Sequence, residues 1–346
     1  MALLRMVKNG ITHVNLKFLR RSALIKLLCL CWVFLTVFSQ LPLKAENSDK
    51  YPSKELTIIC PWAPGGGSDK ISRKLAELLE EELQYPVSVV NRTGGSGVVG
   101  FMAGASAEPD GHTLTLITAE IGTLYWMGIT NLRYHSFTNI AVFNIDPAAI
   151  IVRENSKWKT LEELQNAIIS RPQKLIASGT AKGGIWDLFR AGWLDKLGIK
   201  ETYLRWYPSN GAAPALNSLI AGHVDVVICS LPEAAGLIAA GKVRPLAVMA
   251  AKRNPCYPKV PTLIEKGVNF TGYNFRGLAV PQGTPVATVE KLEKCLAKVV
   301  KSPQFTEFME SYGFNLSYLK GPKLNNFLKD RDRAFGRLIK QTGLLK

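Results

Sequence analysis

A strand–loop–helix–strand segment that occurs twice is the feature that most constrains the fold of this chain. In the first copy, an apolar run at residues 56–60 leads into a glycine-rich loop at 61–69. Apolar residues at helical spacing follow as far as residue 84, and a further strand is predicted at 87–91. A strand and a helix joined by such a loop form one layer pair of an α/β fold.

The loop of this first copy has the composition of an anion site. Its three glycines leave no Cβ in the way of a ligand, and N-capping residues precede the helix. Free N–H groups at a helix N-terminus attract a carboxylate or a phosphate. A tight turn that binds nothing is the alternative. The candidate ligand-binding residues are Trp62, Ala63, Pro64, Gly65, Gly66, Gly67, Ser68 and Asp69.

The second copy repeats this order with different residues. Its strands are predicted at 175–177 and 202–206, its loop at 178–184 and its helix at 185–197. Open α/β sheets bind ligands beyond the carboxyl ends of their strands, so we expect the two loops to face one cleft. The candidates here are Ser178, Gly179, Thr180, Lys182, Gly183, Gly184 and Trp186.

The N-terminal 45 residues have the layout of a secretory signal peptide. They contain seven Lys or Arg and no acidic residue, and the basic part leads into a stretch of apolar or small residues at 27–38. That stretch is shorter than the ~20 residues that span a bilayer. We therefore expect export to the periplasm, with an uncleaved N-terminal anchor as the alternative.

The rest of the chain is expected to be a soluble protein with two lobes. It has 36 basic and 27 acidic residues, a net charge of +9 that favours an anionic partner. The basic residues are interspersed with acidic ones and form no nucleic-acid motif, so nucleic acid is not expected as a partner. Strands alternate with helices along the chain, which predicts an α/β fold with mostly parallel sheets flanked by helices.

Six segments in order then resemble a known family. They are YPSKELTIICPWAPGGGSD, PVSVVNRTGGSGVVG, EPDGHTLTLIT, GHVDVVICSLPEA, GKVRPLAVMAAKR and VPTLIEKG, and the likeness covers residues 51–343. The chain resembles the Bug family, the periplasmic solute-binding subunits of tripartite tricarboxylate transporters.

The resemblance implies a two-lobe periplasmic binding protein of the Venus-flytrap type II class. We expect lobe 1 to comprise residues 46–145 and 272–346, and lobe 2 residues 146–271, with an apolar stretch at 141–152, broken at Asp146-Pro147, as a hinge crossing. Such a protein is a monomer that delivers its ligand to membrane permease subunits. It has no catalytic residue, no metal and no cofactor.

In this family the ligand is a small carboxylate, held largely by backbone amides of the two glycine loops. Further cleft positions match the stretches 118–120 and 207–211, and one more lies at the end of the strand near 229. The residues that the resemblance adds to the site are Thr118, Ala119, Glu120, Tyr207, Asn210 and Ser230.

Three residues depart from the family pattern. Lys182 and Trp186 stand where small hydroxyl residues and a histidine are usual, and Glu120 stands where a small polar residue is usual. A lysine in the cleft would favour a ligand with a second acidic group. Glu120 would disfavour a nearby anion unless it meets Lys182 or a ligand ammonium group, or unless the site is partly altered.

Other functions remain as alternatives at this point. Residues 95–100 match GxGxxG after a strand, with Glu120 further on, as in dinucleotide-binding enzymes. An enzyme on the same α/β framework is the broader alternative, although the chain has no G-x-S-x-G elbow. A ligand sensor for a membrane kinase would use the same binding chemistry.

Overall fold

The computed structural model describes residues 51–344, so the predicted signal peptide lies outside the described residues. Within them the chain forms ten strands and nine α-helices. The strands are β1 Leu56–Cys60, β2 Val87–Asn91, β3 Thr113–Thr118, β4 Phe137–Arg153, β5 Leu175–Ser178, β6 Leu204–Tyr207, β7 Val226–Ser230, β8 Val243–Val248, β9 Tyr273–Pro281 and β10 Leu316–Leu319. The helices are α1 Gly67–Leu83, α2 Val98–Ala105, α3 Leu161–Ser170, α4 Ile185–Lys196, α5 Ala212–Ala221, α6 Leu231–Ala239, α7 Val286–Lys301, α8 Pro303–Tyr312 and α9 Gly321–Thr342.

The strands form one connected sheet that has two parts. Its order is β2-β1-β3-β9-β4-β7-β5-β6, with β8 and β10 also paired to β4. The first half-sheet comprises β1, β2, β3, β9, β10 and β4 up to Pro147. The second half-sheet comprises β5, β6, β7, β8 and β4 from Ala148 onward. Helices cover both, and the α/β periplasmic binding protein fold that the resemblance implies is confirmed.

Parallel pairing occurs where the two predicted copies lie. β1 is parallel to β2 and β3, and β5 is parallel to β6 and β7. β4 and β9 are antiparallel to their neighbours, so the sheet as a whole is mixed. The pattern of alternating strands and helices identifies the parallel units but not the direction of strands that join them.

Strand β4 runs through both half-sheets without a break. The sequence predicts an interruption at Asp146-Pro147, yet Asp146 pairs with Asn274 and Pro147 with Tyr273 in the ladder with β9. Proline lacks an N–H but fits an extended strand where no ladder bond is needed from it. The predicted crossing is therefore a continuous strand, and it joins the half-sheets directly.

Each half-sheet has its own buried core. The first is built by one face of α1, including Ile71 and Leu75, packed on β1 and β3 and on α7. The second surrounds Ile150, Trp193 and Ile228. Apolar residues at helical spacing produce these cores because they lie on one side of each helix.

The C-terminal helix α9 contacts both parts of the molecule. Phe335 packs against Phe189 of α4 with ring centroids 6.1 Å apart, and Asp332 pairs with Arg133. The short strand β10, which precedes α9, is absent from the sequence prediction. None of the helices within residues 51–344 has the length and apolar character needed to cross a membrane.

Candidate functional site

A small cavity lies between the carboxyl ends of β1 and β5, where the two predicted loops meet. Its volume is about 20 Å³, which is room for about one water molecule. It is lined by Trp62, Ala63, Gly66, Gly67, Ser68, Glu120, Thr180, Trp186, Gly211, Ala212, Glu233 and Asn274. Both glycine loops therefore contribute to one site.

The first loop forms a tight turn that leaves helix amides unpaired. Gly65 has a φ of +81°, and its N–H donates to Oδ2 of Asp69 at 2.9 Å. Gly66 is the N-cap of α1 and has no side chain to cap it. Within residues 51–344, no acceptor pairs with the N–H groups of Gly67 or Ser68. These two groups lie at the positive end of α1 and at the cavity.

The carboxylate of Asp69 has a structural role in this turn. It accepts hydrogen bonds from Gly65, from Asn91 at 2.9 Å and from Arg73 at 3.1 Å. Burial opposes the charge of Asp69, but the bonds from Arg73 and Gly65 outweigh it and hold the pKa of that carboxyl below its usual range. Asp69 therefore shapes the loop instead of contacting the cavity.

The second loop repeats the same turn, but at 181–187 instead of the predicted 178–184. Gly183 has a φ of +73°, and its N–H donates to Oδ2 of Asp187 at 3.0 Å. Asp187 is fully buried against Arg190, as Asp69 is paired with Arg73. The counterpart of residues 63–69 thus begins three positions later than the glycine pattern suggests, because the Gly-to-Asp spacing defines the turn.

A third helix N-terminus also reaches the cavity. Gly211, with a φ of +133°, precedes α5, and Ala212 is its first residue. The carbonyl of Asn210 accepts a hydrogen bond from the N–H of Ala63 at 3.1 Å. This bond links the loop after β6 to the loop after β1. The start of α5 is therefore held against the first glycine loop.

Glu120 is the most unusual residue at the site. Its side chain is 1% exposed and lies between the half-sheets. Oε2 accepts a hydrogen bond from Oγ1 of Thr118 at 2.5 Å, and Oε1 accepts one from the N–H of Ile185 at 3.3 Å. Burial raises the pKa of Glu120 to about 7, although the bond from Thr118 lowers it in part. The protein's own carboxyl group thus occupies the N-terminus of α4.

A buried positive side chain, Arg276 of β9, lies next to the first glycine loop. It is completely buried, and Nη1 donates to Oδ2 of Asp146 at 3.0 Å. Nη2 donates to Oε1 of Glu233 at 3.0 Å, and Nε donates to Oγ of Ser68 at 3.1 Å. Burial raises the pKa of Asp146, and the charge of Arg276 opposes that rise. Arg276 therefore holds two buried acidic residues next to the first glycine loop.

Glu233 closes the cavity from the second half-sheet. Its Oε2 accepts hydrogen bonds from the N–H and Oγ of Ser230 at 3.0 and 3.1 Å, which is a capping box at the start of α6. The Cβ that an alanine at Gly67 would carry lies 2.8 Å from Cγ of Glu233. Glycine at this position is what allows α1 and Glu233 to approach each other.

The predicted site residues divide into three groups. Those that line the cavity are Trp62, Ala63, Gly66, Gly67, Ser68, Glu120, Thr180 and Trp186. Those that shape the surrounding turns and strand ends are Pro64, Gly65, Asp69, Thr118, Ala119, Ser178, Gly179, Gly183, Gly184, Asn210 and Ser230. Lys182 and Tyr207 belong to neither of these two groups, and their side chains are exposed.

Sequence reasoning missed Ala212, Glu233, Asn274 and Arg276. Two of these carry a signal that could have been used. Arg276 is a charged residue inside the apolar run 273–280, and Glu233 is the third residue after Ser230 in a capping-box pattern. Neither signal indicates that the two side chains pair with each other.

Comparison with known proteins places the chain among solute receptors. Residues 71–344 match the model of the tripartite tricarboxylate transporter family receptor, TctC. A UPF0065 protein in the TAR-I ttuE-ttuC' intergenic region of Agrobacterium vitis is 32% identical over 278 residues, which is 79% of each chain.

Two solved structures are similar over nearly their whole length. The periplasmic binding protein BugD is 29% identical, with a TM-score of 0.81 over 86% of this chain and 100% of that one. The protein Rpa4515 of R. palustris, solved with adipate, is 25% identical, with a TM-score of 0.80 over 85% of this chain and 99% of that one.

Proposed function

The chain belongs to the tripartite tricarboxylate transporter receptor family, and from that premise we propose that it captures a small carboxylate between its half-sheets and delivers it to a membrane permease. The family consists of periplasmic solute-binding receptors that are not enzymes. Binding of adipate by the R. palustris relative is consistent with a carboxylate as the ligand.

Convergence of three helix N-termini on one buried cavity is the observation that carries this proposal. The starts of α1, α4 and α5 all reach it, and the N–H groups of Gly67 and Ser68 have no acceptor among the described residues. Helix N-termini favour an anion through unpaired donors and through the helix dipole. A ligand carboxylate at Gly67 and Ser68 would receive bonds from both.

Capture requires the two half-sheets to move apart. The cavity of about 20 Å³ is too small for a metabolite of several carbon atoms. Among residues 51–344, β4 pairs in both half-sheets, and the chain also crosses between them at Gly272, just before β9. We propose that these segments act as the hinge of two lobes, with lobe 1 at 46–145 and 272–346, and lobe 2 at 146–271. The ligand then stabilises the closed form by contacting both.

Export and delivery complete the proposal. The predicted signal peptide at 1–45 would send the chain to the periplasm, where a permease of the tripartite type would recognise the closed, monomeric receptor. In the closed form, bonds such as that from Ala63 to Asn210 join the half-sheets. The surface that extends across both half-sheets would exist only in this form.

Isothermal calorimetry with purified receptor tests carboxylate binding. The panel is butanoate, succinate, adipate and 4-aminobutanoate, with the product mixture assayed for turnover. In Gly67→Ala the added Cβ would lie 2.8 Å from Nη2 of Arg276 and from Cγ of Glu233. We expect affinity for any bound carboxylate to fall by about tenfold or more, as for the loss of one or two charge-assisted bonds.

Gly236→Ala is the matched control for this variant. A Cβ at Gly236 meets no atom within 4 Å, and the residue lies inside α6 away from the cavity. A folded Gly67→Ala protein that binds as tightly as the unchanged chain would contradict the proposed carboxylate position. Absence of heat with all four compounds, or formation of a product, would contradict the proposed function itself.

A further inference from the structure

From the acidic side chains that line this cavity we propose that the ligand carries one carboxylate and one cationic nitrogen, as an amino acid does. On this proposal, a dicarboxylate of the same length binds more weakly. The inference rests on the proposed function, since it assigns a ligand class to the same site. Glu120 is the residue that would select the cationic group.

The first step is that one of the predicted carboxylate positions is already filled. Oε1 of Glu120 accepts the N–H of Ile185, so the start of α4 has an internal carboxyl group in place of a ligand. The unpaired N–H groups of Gly67 and Ser68 remain at the start of α1. The cavity therefore offers one carboxylate position at its α1 end and an acid at its α4 end.

The second step is that both acids have unused acceptor capacity. A carboxylate has about four lone-pair sites. Glu120 uses one on each oxygen, for Thr118 and Ile185. Glu233 uses one on Oε1 for Arg276 and two on Oε2 for Ser230. A ligand ammonium group at the α4 end of the cavity would find acceptors on Glu120, whereas Glu233 lies beside Gly67, at the proposed carboxylate position.

The third step is the balance of buried charge. Among the described residues of this network, the single cation Arg276 is shared by Asp146 and Glu233, and Glu120 adds a third carboxyl group. A dicarboxylate would bring two more negative charges into a site lined by largely buried side chains, which is costly without paired cations. A ligand with one carboxylate and one ammonium group adds no net charge and pairs with Glu120.

This ligand differs in charge from that of the R. palustris relative. Adipate, which is bound in that structure, has two carboxylates and no cationic group. The proposal therefore predicts that this receptor prefers a zwitterion, although it shares the fold and the family.

Calorimetry with compounds of matched length tests the preference. 4-Aminobutanoate has an ammoniomethyl group where succinate has its second carboxylate, and butanoate has a single carboxylate and no ammonium group. We expect the unchanged receptor to bind 4-aminobutanoate about tenfold or more tighter than succinate, as for one charge-assisted hydrogen bond in a buried site. In Glu120→Gln this ratio should fall by about tenfold, because the amide keeps the size of the side chain without its charge.

Glu163→Gln is the matched control for the removal of a charge. Glu163 is exposed in a capping box at the start of α3, where glutamine makes the same bonds, so its ligand ratio should equal that of the unchanged receptor.

The unchanged receptor supplies a second readout, which does not depend on how a variant folds. Binding of succinate would require Glu120 to take up a proton, so its affinity should fall by about tenfold between about pH 6 and about pH 8. Affinity for 4-aminobutanoate should rise over the same range. Charged groups on the elements packed around Glu120 are Asp69 of α1, Asp187 and Arg190 of α4, Glu233 of α6, Arg276 of β9 and Asp332 of α9.

The outcomes separate this inference from the proposed function. Tighter binding of succinate than of 4-aminobutanoate by the unchanged receptor would overturn the inference and leave carboxylate capture in place. An unchanged ratio in a folded Glu120→Gln protein would overturn the role of Glu120. No binding of any carboxylate would overturn both.

Discussion

At the scale of single residues, Glu120 combines burial, a short hydrogen bond and a position between the half-sheets. Its two partners, Thr118 and Ile185, lie in different parts of the fold. A carboxyl group with this burial is stable when protonated and costly when charged. The stability of the receptor without ligand should therefore depend on pH through this residue.

The sign of that dependence follows from the direction of the shift. Burial raises the pKa of Glu120 to about 7 in the folded protein, above its value in an unfolded chain. The contribution of Glu120 to the free energy of unfolding is complete below the unfolded pKa and is lost as pH rises through about 7. Glutamine does not titrate, so Glu120→Gln does not lose stability in this way. Relative to the unchanged receptor, the variant should gain about 3 kcal/mol in free energy of unfolding between about pH 4.5 and about pH 8.

Urea unfolding at a series of pH values, followed by circular dichroism, measures this difference. The exposed Glu163→Gln substitution is the control for removing a carboxylate from the surface. If the difference between Glu120→Gln and the unchanged receptor did not change with pH, Glu120 would titrate in the folded state as it does in the unfolded chain.

At the scale of elements, the turns before α1 and α4 are the same device built from different sequences. In each, a glycine with positive φ donates its N–H to an aspartate four residues later, and the aspartate is held by an arginine in the next turn of the helix. At the start of α1 the amides of Gly67 and Ser68 are then left without an acceptor among residues 51–344, whereas at the start of α4 the amide of Ile185 donates to Glu120. We propose that this turn, and not the number of glycines, makes amides available to an anion.

The two turns should tolerate a Cβ to different degrees. In Gly65→Ala the new atom meets nothing within 4 Å, so the variant has only the strain of an alanine at positive φ. In Gly183→Ala the atom would also lie 2.5 Å from Cε of Met127. We expect a loss of free energy of unfolding of about 1 kcal/mol for Gly65→Ala, and a larger loss for Gly183→Ala.

Urea unfolding of both variants under one condition checks this order. Each serves as the control for the other, because both replace a glycine at positive φ in an equivalent turn. Equal losses would mean that Met127 moves aside at no cost.

At the scale of the whole molecule, closure is the property on which the proposed function depends. The cavity has room for about one water, and contacts such as that of Oγ of Ser96 with the carbonyl of Lys182 link the turn before α2 to the second glycine loop. A ligand can enter only if these two segments separate. The segments that cross between the half-sheets, β4 at Pro147–Ala148 and the chain at Gly272 before β9, then have to bend or twist.

Spin labels across the cleft should report this motion. Val99 on α2 and Lys182 beside the second loop are both exposed, and a label on a cysteine at each would report their separation. We expect a broad distance distribution without ligand and a shorter, narrower one with saturating ligand, since ligand selects the closed form. Pulsed electron spin resonance gives the distributions.

A second pair within the first half-sheet is the control for the labels. Val90 of β2 and Val99 of α2 are also exposed, and their distance should not change with ligand. The native Cys256 is exposed and needs to be replaced by serine in every labelled protein. A cleft distance that ligand leaves unaltered would contradict hinge closure.

Much of the fold was predictable because it depends on neighbours a few residues apart. The spacing of apolar residues predicts α1 and α4, and the glycines after β1 and β5 predict that each helix starts at the end of a strand. Neither prediction depends on how the rest of the chain packs. The resemblance in six segments then identified the family, which the match over residues 71–344 confirms. Local sequence thus determined that helix N-termini would be available to bind an anion.

Only the tertiary structure decided what surrounds those N-termini. Glu120 bonds to an amide 65 residues away, and Arg276 bonds to Ser68 across 208 residues. Lys182, a candidate from sequence, is exposed, whereas Glu233 lines the cavity. No local pattern encodes these partners, because they are far apart in the sequence and meet only in the folded chain. The charge of the site is therefore a property of the packed fold, and its amide donors are a property of the sequence.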